Sequence, residues 1–521
     1  MGRMMLRIWA TVAAVMLAQS AVWAEVKPNA LFSDGAVLQQ GMKVPVWGTA
    51  EPGETVTVQF AGQKKTTAAD AKGAWRVVLD PMPASAEPSD LLVSGSIGNP
   101  QSAIHSVLVG EVWLCSGQSN MAMTLAGCEN AQEAAEKSAD PQLRLFSVPL
   151  NPSDTPVSEV KGQWKEAGPT TVPGFSAVGY FFGRDLRKAL KVPVGLINSS
   201  VGGTPAEAWT SMKTLKSKPE FKASLDIYAK AVANYPAAKK KYEEAMEKYK
   251  ADAAKAKEQG QAAPRMPTIP YGPESFQRPS CLYNGMIVPL CPYALRGAIW
   301  YQGEGNAGRA YQYRRLLPAM IKCWRKAWGQ GDFAFLIVQL APFKKINPEP
   351  EESDWAELRE AQPFTSLKVR KCGLAVITDA GDPDNIHPKK KEPAGARLAL
   401  AARAIAHGEN IVYSGPLYDS MKVKGNRAIL TFKYLGGGLV AQGGELKGFT
   451  LCGPDKKFVN ASAEIQGDTV VVSSPQVSQP VAVRYGWANC PVVNLFNKEG
   501  LPASPFRTDN FPGLTKPKPA K

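Results

Sequence analysis

The chain has 521 residues, 44% of them hydrophobic and 21% charged, with a formal net charge of +15. This composition excludes a disordered or fibrous protein, and the length predicts two or three domains. The positive charge would suit an anionic glycan. No recognised nucleic-acid-binding module accompanies it, so we expect no nucleic acid partner.

Residues 1–24 have the pattern of a cleaved signal peptide. Arg3 and Arg7 come before an apolar run over residues 8–18, and the small residues of a cleavage site come before Glu25. We therefore expect a mature chain that starts near Glu25 and is secreted or periplasmic. The apolar run is shorter than the roughly 20 residues of a membrane-spanning helix, so no membrane insertion is expected.

Residues 25–106 predict a small antiparallel β-domain. The runs VPVWG, TVTVQF and AWRVVLD are rich in β-forming residues, and the turn-forming stretches EPGE and DAKG separate them.

Over residues 107–410, apolar strands alternate with helical segments. Strand-like runs such as EVWLCSG, GAIWYQG and FAFLIV alternate with helical runs such as VGYFFGRDLRKAL and AGARLALAARAIAHG. This rhythm predicts an α/β domain with a parallel sheet, in which ligands bind at the carboxyl ends of the strands. A segment rich in Lys, Ala and Glu interrupts the rhythm at about residues 212–260 and predicts a helical insertion. Its residues 213–258 contain twelve lysines and seven acidic residues, as a solvated helix face would.

Strand-like runs return over residues 411–512, among them AILTFKY, DTVVVSS and PVAVRYGW. They predict a second β-domain, and we expect the tail of residues 513–521 to be disordered.

The stretch VGEVWLCSGQSNMAM contains the first candidate for chemistry. Its apolar run ends at Gly117, and Ser119 then stands between two amides. A serine at that place can expose its hydroxyl group while its N–H faces a bound carbonyl, although a helix N-cap is an equally simple explanation. Met121 replaces the second glycine of a G-x-S-x-G motif, which disfavours the nucleophile elbow of α/β-hydrolases.

The loop DNIHP contains one of only three histidines in the chain, His387. Asp384, three residues earlier, can orient its imidazole, and Asp382 is a rival for that role. The alternative is an ordinary surface loop.

Two further polar loops follow apolar strands. In NSSVGGT, the pair Gly202 and Gly203 lets the backbone approach a ligand and present an N–H. In WYQGEGN, the amide of Gln302 can donate to an oxyanion. Each loop alone is explained by a turn, but together the four motifs offer a nucleophile, a base, an orienting acid and oxyanion donors.

The motifs GQSNM, SVGGTPAEAW, WYQGEGNA and DNIHP resemble the four sequence blocks of the SGNH (GDSL-like) hydrolase superfamily, and most closely its sialate O-acetylesterase family. The stretches LFSDGAVLQQG and VWGTAEPGETVTV resemble the N-terminal β-domain of that family. The resemblance implies an SGNH-type three-layer α/β hydrolase domain between two β-domains. It also implies a Ser–His–Asp esterase that uses no metal and no organic cofactor.

Carried over by motif, the resemblance implies Ser119 as nucleophile, His387 as general base and Asp384 as orienting acid. The oxyanion hole would consist of the Ser119 N–H, Gly203 (or Gly202) and Gln302. Candidate substrate-binding residues are Gly202, Asn120, Glu304 and Trp209, with core packing as the alternative for the tryptophan. The chain departs from the family at Asn385, where Asp is frequent, and at Gly305, where Ser is common.

The resulting hypothesis is a secreted serine esterase that removes O-acetyl groups from carbohydrate through an acetyl-enzyme, with O-acetylated sialic acid as the leading substrate. One alternative keeps this chemistry on acetyl xylan or another polysaccharide. The other is a non-catalytic glycan-binding protein, against which the presence of Ser119 and His387 counts.

Overall fold

The computed structural model describes residues 26–97 and 102–517. The predicted signal peptide and residues 518–521 of the predicted tail lie outside the described residues. In the described ranges, no helix has the length and apolar character needed to cross a membrane.

The first part of the fold consists of short, mostly antiparallel strands. These are β1 (Lys27–Pro28), β2 (Val37–Gln39), β3 (Val44–Thr49), β4 (Thr55–Phe60), β5 (Gln63–Ala68), β6 (Ala74–Leu79) and β7 (Ser85–Gly95). One sheet has the order β1-β3-β6, and β4 lies between β5 and β7. Strand β6 shows why the sequence forms these sheets. Its residues Trp75, Val77 and Leu79 are buried and alternate with exposed neighbours, the two-residue period of a half-buried strand.

The central sheet supports the candidate site. Its strands are β8 (Ser102–Gly117), β9 (Asp140–Ser147), β10 (Trp164–Ala167), β11 (Val194–Ser200), β12 (Gly297–Tyr301), β13 (Ala334–Val338) and β14 (Cys372–Ala375). The order is β10-β9-β11-β8-β12-β13-β14, parallel throughout except for the antiparallel β10. The carboxyl ends of β8, β11, β12 and β14 therefore open on one edge, where the four motifs follow.

Strand β8 connects strands β2 and β7 to the central sheet, which the sequence did not indicate. Its first half pairs with β7 and β2, and its second half pairs with β11 and β12. The predicted boundary at residue 106 thus falls inside one continuous strand. The composition could not reveal this, because a strand covered on both faces has an uninterrupted apolar sequence wherever it lies. The other predicted domain boundaries stay predictions.

Helices cover both faces of the central sheet. The helices of this part of the fold are α1 (Ser119–Ala122), α2 (Ala131–Glu136), α3 (Ala177–Leu190), α4 (Met212–Lys216), α5 (Lys222–Glu258), α6 (Ala310–Trp328), α7 (Asp354–Lys368) and α8 (Glu392–His407). Successive residues of β8 enter opposite cores: Trp113 joins the core formed with α3 and α8, and Leu114 joins the core formed with α6 and α7. The result is a mixed α/β fold. Helices α4 and α5 occupy the segment for which a helical insertion was predicted.

The last part of the fold returns to β-structure. Its strands are β15 (Leu417–Lys424), β16 (Arg427–Lys433), β17 (Leu439–Ala441), β18 (Phe449–Cys452), β19 (Phe458–Asn460), β20 (Ser462–Gln466), β21 (Thr469–Ser473), β22 (Ala482–Tyr485), β23 (Leu495–Asn497) and β24 (Phe506–Arg507). This part is joined to the central sheet by buried polar contacts. Gln339 Nε2 donates to Ser504 Oγ at 2.8 Å, and the fully buried Arg359 donates to Asn489 O.

Candidate active site

Strand β8 has to end on a glycine. Gly117 has a φ of +140°, and a Cβ atom there would stand 2.1 Å from the backbone oxygen of Tyr301 on β12. The next residue, Gln118, donates its N–H to that same oxygen at 3.0 Å and accepts the Gly305 N–H at 3.1 Å through its side chain. The chain leaves the sheet at this point, and Ser119 begins α1 at the carboxyl end of the central strand.

The structure brings Ser119 and His387 together. Ser119 Oγ lies 2.8 Å from His387 Nε2, although 268 residues separate them. His387 belongs to the loop between β14 and α8 and is partly buried. Burial, and then the positive charge of Lys391, lower the pKa of His387. A neutral imidazole at this distance can accept the serine proton.

Asp384 does not reach His387, contrary to the expectation for an orienting acid. The carboxylate of Asp382 accepts hydrogen bonds from the backbone N–H groups of Asp384 and Asn385. The Asn385 side chain accepts one from the backbone N–H of His387 at 2.9 Å. The side chains of Asp382 and Asn385 thus close two consecutive turns of the backbone, and Asp384 is left exposed. Among the described residues, no hydrogen bond joins the carboxylate of Asp384 or of Asp382 to the imidazole.

The glycine pair after β11 lies against the nucleophile. A Cβ atom on Gly202 would stand 3.5 Å from the Ser119 Cβ, and Gly203 has a φ of +72°. Gln277 fixes this loop by donating to Gly203 O at 2.7 Å. Within the described ranges, neither the Ser119 N–H nor the Gly203 N–H has a hydrogen-bond partner. Both therefore remain available to an oxyanion.

Gln302 has no donor left for an oxyanion, which corrects the sequence-based expectation. Its side chain is fully buried, and its Nε2 donates to Thr204 O at 3.2 Å and to Asn306 Oδ1 at 2.8 Å. Its Oε1 accepts the Tyr313 hydroxyl at 2.8 Å. With both N–H groups used, the amide holds the loops after β11 and β12 together instead of facing a substrate.

Three of the predicted substrate-binding residues also turn inward. Trp209 is fully buried, packs edge-on against Trp300 and donates to Thr204 Oγ1 at 2.9 Å, so the alternative of core packing holds. Asn120 is 1% exposed and donates to a carboxylate oxygen of Glu304. Burial rather than a substrate accounts for Trp209 and Asn120, and Glu304, which is partly exposed, directs its Oε1 to Asn120. Gly202 lies beside Ser119.

Comparison with known proteins identifies the family. A sequence model described as "Carbohydrate esterase, sialic acid-specific acetylesterase" matches residues 109–260. The human sialate O-acetylesterase is 31% identical over 523 residues and the mouse enzyme 32% over 516, covering 90% and 88% of this chain and 90% of each relative. The chain belongs to the sialate O-acetylesterase family.

This result confirms the family resemblance and the prediction of an esterase. The fold agrees as well: a carbohydrate acetylesterase from Xanthomonas citri is 38% identical, with a TM-score of 0.79 over 93% of this esterase and 100% of that chain. The predicted α/β class is thereby confirmed. Family membership favours the enzyme over the alternative of a non-catalytic glycan-binding protein.

The sequence reasoning missed Lys391 of the esterase. It is the third of three consecutive lysines, and unlike the other two it is buried, with 2% of its surface exposed. Its ammonium group donates to Asn120 Oδ1 and lies 5.5 Å from the centre of the Tyr301 ring. Burial lowers its pKa to about 8. A run of lysines normally indicates a solvated surface, so the sequence offered no signal.

An open pocket of about 350 Å³ adjoins Gly203. Helix α5 contributes one wall through Ser224 and Ile227, and Tyr271 and Arg309 contribute another. The Arg309 guanidinium pairs with buried Glu207 at 3.1 Å while 37% of its side chain stays exposed. A larger groove of about 560 Å³ lies along β9 and β10. Neither reacting side chain lines either cavity, and we take the pocket beside Gly203 as the candidate substrate site because the adjacent Gly202 lies against Ser119.

Proposed function

We propose that the esterase removes O-acetyl groups from carbohydrate, with Ser119 as nucleophile and His387 as general base. The observation that carries this proposal is the 2.8 Å distance between Ser119 Oγ and His387 Nε2 at the carboxyl edge of the sheet. The names of the relatives, sialate O-acetylesterase and carbohydrate acetylesterase, support the substrate class.

In the proposed mechanism, His387 accepts the proton of Ser119 while Oγ attacks the acetyl carbonyl. The N–H groups of Ser119 and Gly203 stabilise the oxyanion. The sugar alcohol leaves with the proton from His387, and water hydrolyses the acetyl-enzyme by the same route. The lowered pKa of His387 keeps the imidazole neutral, as a base must be, at neutral pH.

We place the sugar in the pocket beside Gly203 and favour O-acetylated sialic acid. The partly exposed side chain of Arg309, which lines this pocket, supports this choice, because a guanidinium recognises a carboxylate well. A neutral acetylated polysaccharide such as acetyl xylan is the second candidate. It is favoured by the ion pair between Arg309 and Glu207, which leaves these two side chains without net charge. Secretion, with cleavage near Glu25, remains part of the proposal.

The test is acetate release from 9-O-acetylated sialic acid and from acetyl xylan by wild type and Ser119→Ala. Ser366→Ala, on helix α7, where the hydroxyl group donates to Pro363 O, is the matched control. We expect at least a 10³-fold loss of kcat in Ser119→Ala and none in the control. Release from the sialic acid ester alone supports the first substrate, and release from xylan alone supports the second. Equal turnover by Ser119→Ala and wild type would show that Ser119 is not the nucleophile.

A further inference from the structure

The amide of Asn120 joins the two loops that carry the reacting side chains. Its Nδ2 donates to Ile386 O at 3.0 Å and to Glu304 Oε1, and its Oδ1 accepts from Lys391 Nζ. Asn120 directly follows Ser119 in the chain, and Ile386 directly precedes His387. One side chain therefore connects the backbone neighbours of nucleophile and base.

The chemistry of the partners allows only one orientation of this amide. An ammonium group can only donate, so the atom that faces Lys391 has to be the oxygen. A backbone carbonyl can only accept, so the atom that faces Ile386 has to be the nitrogen. Both N–H groups and the oxygen are thus in use, and Glu304 and Lys391 together prevent the amide from turning over.

The base has no other orienting partner of this kind. No carboxylate contacts the His387 imidazole in the part of the chain that the structure describes, and the turns closed by Asp382 and Asn385 are local to the loop. We propose that Asn120 is a positioning residue, which holds His387 in register with Ser119 and is itself fixed by Glu304 and Lys391. This inference rests on the proposed function, because it takes Ser119 and His387 as the reacting groups.

The burial of Asn120 and Lys391 explains why the hydrogen bonds of the Asn120 amide can hold one geometry. Asn120 and Lys391 are 1% and 2% exposed, and burial raises the pKa of Glu304 and lowers that of Lys391. In a medium of low dielectric constant, a polar group without its partner is costly, so a fully bonded amide strongly favours one geometry. A substrate cannot reach Asn120, which separates this role from the substrate-binding role that the sequence suggested.

The test is Asn120→Asp, assayed on the acetyl ester that wild type hydrolyses best. The substitution keeps the size of the side chain and the acceptor for Lys391, but it removes both N–H groups and places a carboxylate opposite Glu304. We expect kcat to fall about 10²-fold, as for a displacement of about 1 Å between reacting groups, while KM changes less than about two-fold. Adding Glu304→Gln supplies an amide donor opposite the new carboxylate and should recover part of the lost kcat. Asn460→Asp, at an exposed asparagine of β19, is the matched control and should leave both constants unchanged.

The outcomes separate this inference from the proposed function. If Ser119→Ala is inactive and folded Asn120→Asp has wild-type kcat, or a raised KM with unchanged kcat, the positioning role is wrong and the proposed function stands. If Ser119→Ala keeps its activity, both fail. Should Asn120→Asp not fold, Lys391→Met removes the donor that orients the amide. For folded Lys391→Met we expect about a ten-fold loss of kcat, and an unchanged kcat would overturn the inference.

Discussion

The two loops that carry the reacting side chains are held in different ways. The nucleophile loop, residues 117–120, is fixed by the sheet itself: Gly117 lies too close to β12 for any side chain, and Gln118 bonds to both Tyr301 and Gly305. The base loop, residues 382–387, lies beyond the end of β14 and is shaped by its own Asp382 and Asn385. Apart from the contact of His387 with Ser119 itself, Asn120 supplies the one hydrogen bond that joins these two loops within the described residues.

This difference indicates where each loop is sensitive to substitution. The nucleophile loop depends on space between two strands, so an added atom there should disturb folding as well as activity. The base loop depends on a few polar contacts, so substitutions there should affect catalysis or its pH dependence while the fold persists.

The largest effect is expected for Gly117→Ala in the nucleophile loop. The new Cβ would stand 2.1 Å from Tyr301 O, a backbone atom that cannot move without distorting β12, and the φ of +140° is strained for any other residue. We expect the free energy of unfolding to fall by about 3 kcal/mol or more and kcat to fall about 10²-fold. Urea denaturation measures the first and acetate release the second.

Gly308→Ala provides the control for that experiment, because a Cβ there meets nothing within 4 Å. Equal stabilities of Gly117→Ala and Gly308→Ala would contradict the claim that strand spacing fixes the nucleophile loop.

The sequence was a better guide to the nucleophile loop than to the base loop. A glycine and a serine after the apolar run EVWLC indicated where a strand ends and a side chain becomes available. The rule that ligands bind at the carboxyl ends of parallel strands predicted that the motifs of Ser119 and His387 share one edge of the sheet, and the family resemblance assigned their roles. The strands of the central sheet were likewise visible as short apolar runs.

The sequence failed where a polar side chain had two possible directions. Gln302 follows a strand just as a ligand-binding amide would, but its partners Asn306 and Tyr313 come from later turns of the chain. The proximity of Asp384 to His387 in sequence suggested a contact that the turn at Asp382 prevents. Gln302 also donates to Thr204, 98 residues away, so its direction depends on a distant segment. The choice between Asp382 and Asp384 is local, and spacing along the chain does not decide it.

A smaller effect, on pH dependence, is expected for Lys391→Met, which lies just after the base loop. Activity requires neutral His387 and is lost as the pH falls through the pKa of that imidazole. The positive charge of Lys391, whose own pKa is about 8, is one of the two causes that lower the pKa of His387; burial is the larger. Removing the charge should raise the pKa of His387, so the acidic limb of the profile of kcat/KM against pH should move to higher pH.

The profile is measured on wild type, Lys391→Met and, as the matched control, Lys390→Met at the exposed neighbouring lysine. The position of the limb is informative even if the maximum rate of Lys391→Met is low. A limb that stays in place, or moves to lower pH, would mean that the charge of Lys391 does not act on the imidazole.

The smallest effect is expected for Asp384→Asn, and it tests the base loop most directly. In triad enzymes, replacing the orienting aspartate by asparagine lowers kcat about 10⁴-fold, because the imidazole then adopts the wrong tautomer. Asp384 is exposed and forms no hydrogen bond with His387 in the described residues, so we expect kcat to change less than about three-fold. Asp382→Asn is the informative comparison: its carboxylate accepts two backbone N–H groups, so its replacement should lower the free energy of unfolding by about 1 kcal/mol. A loss of several orders of magnitude in Asp384→Asn would mean that this carboxylate swings onto His387 during turnover, and that Asn120 shares the positioning of the base with it.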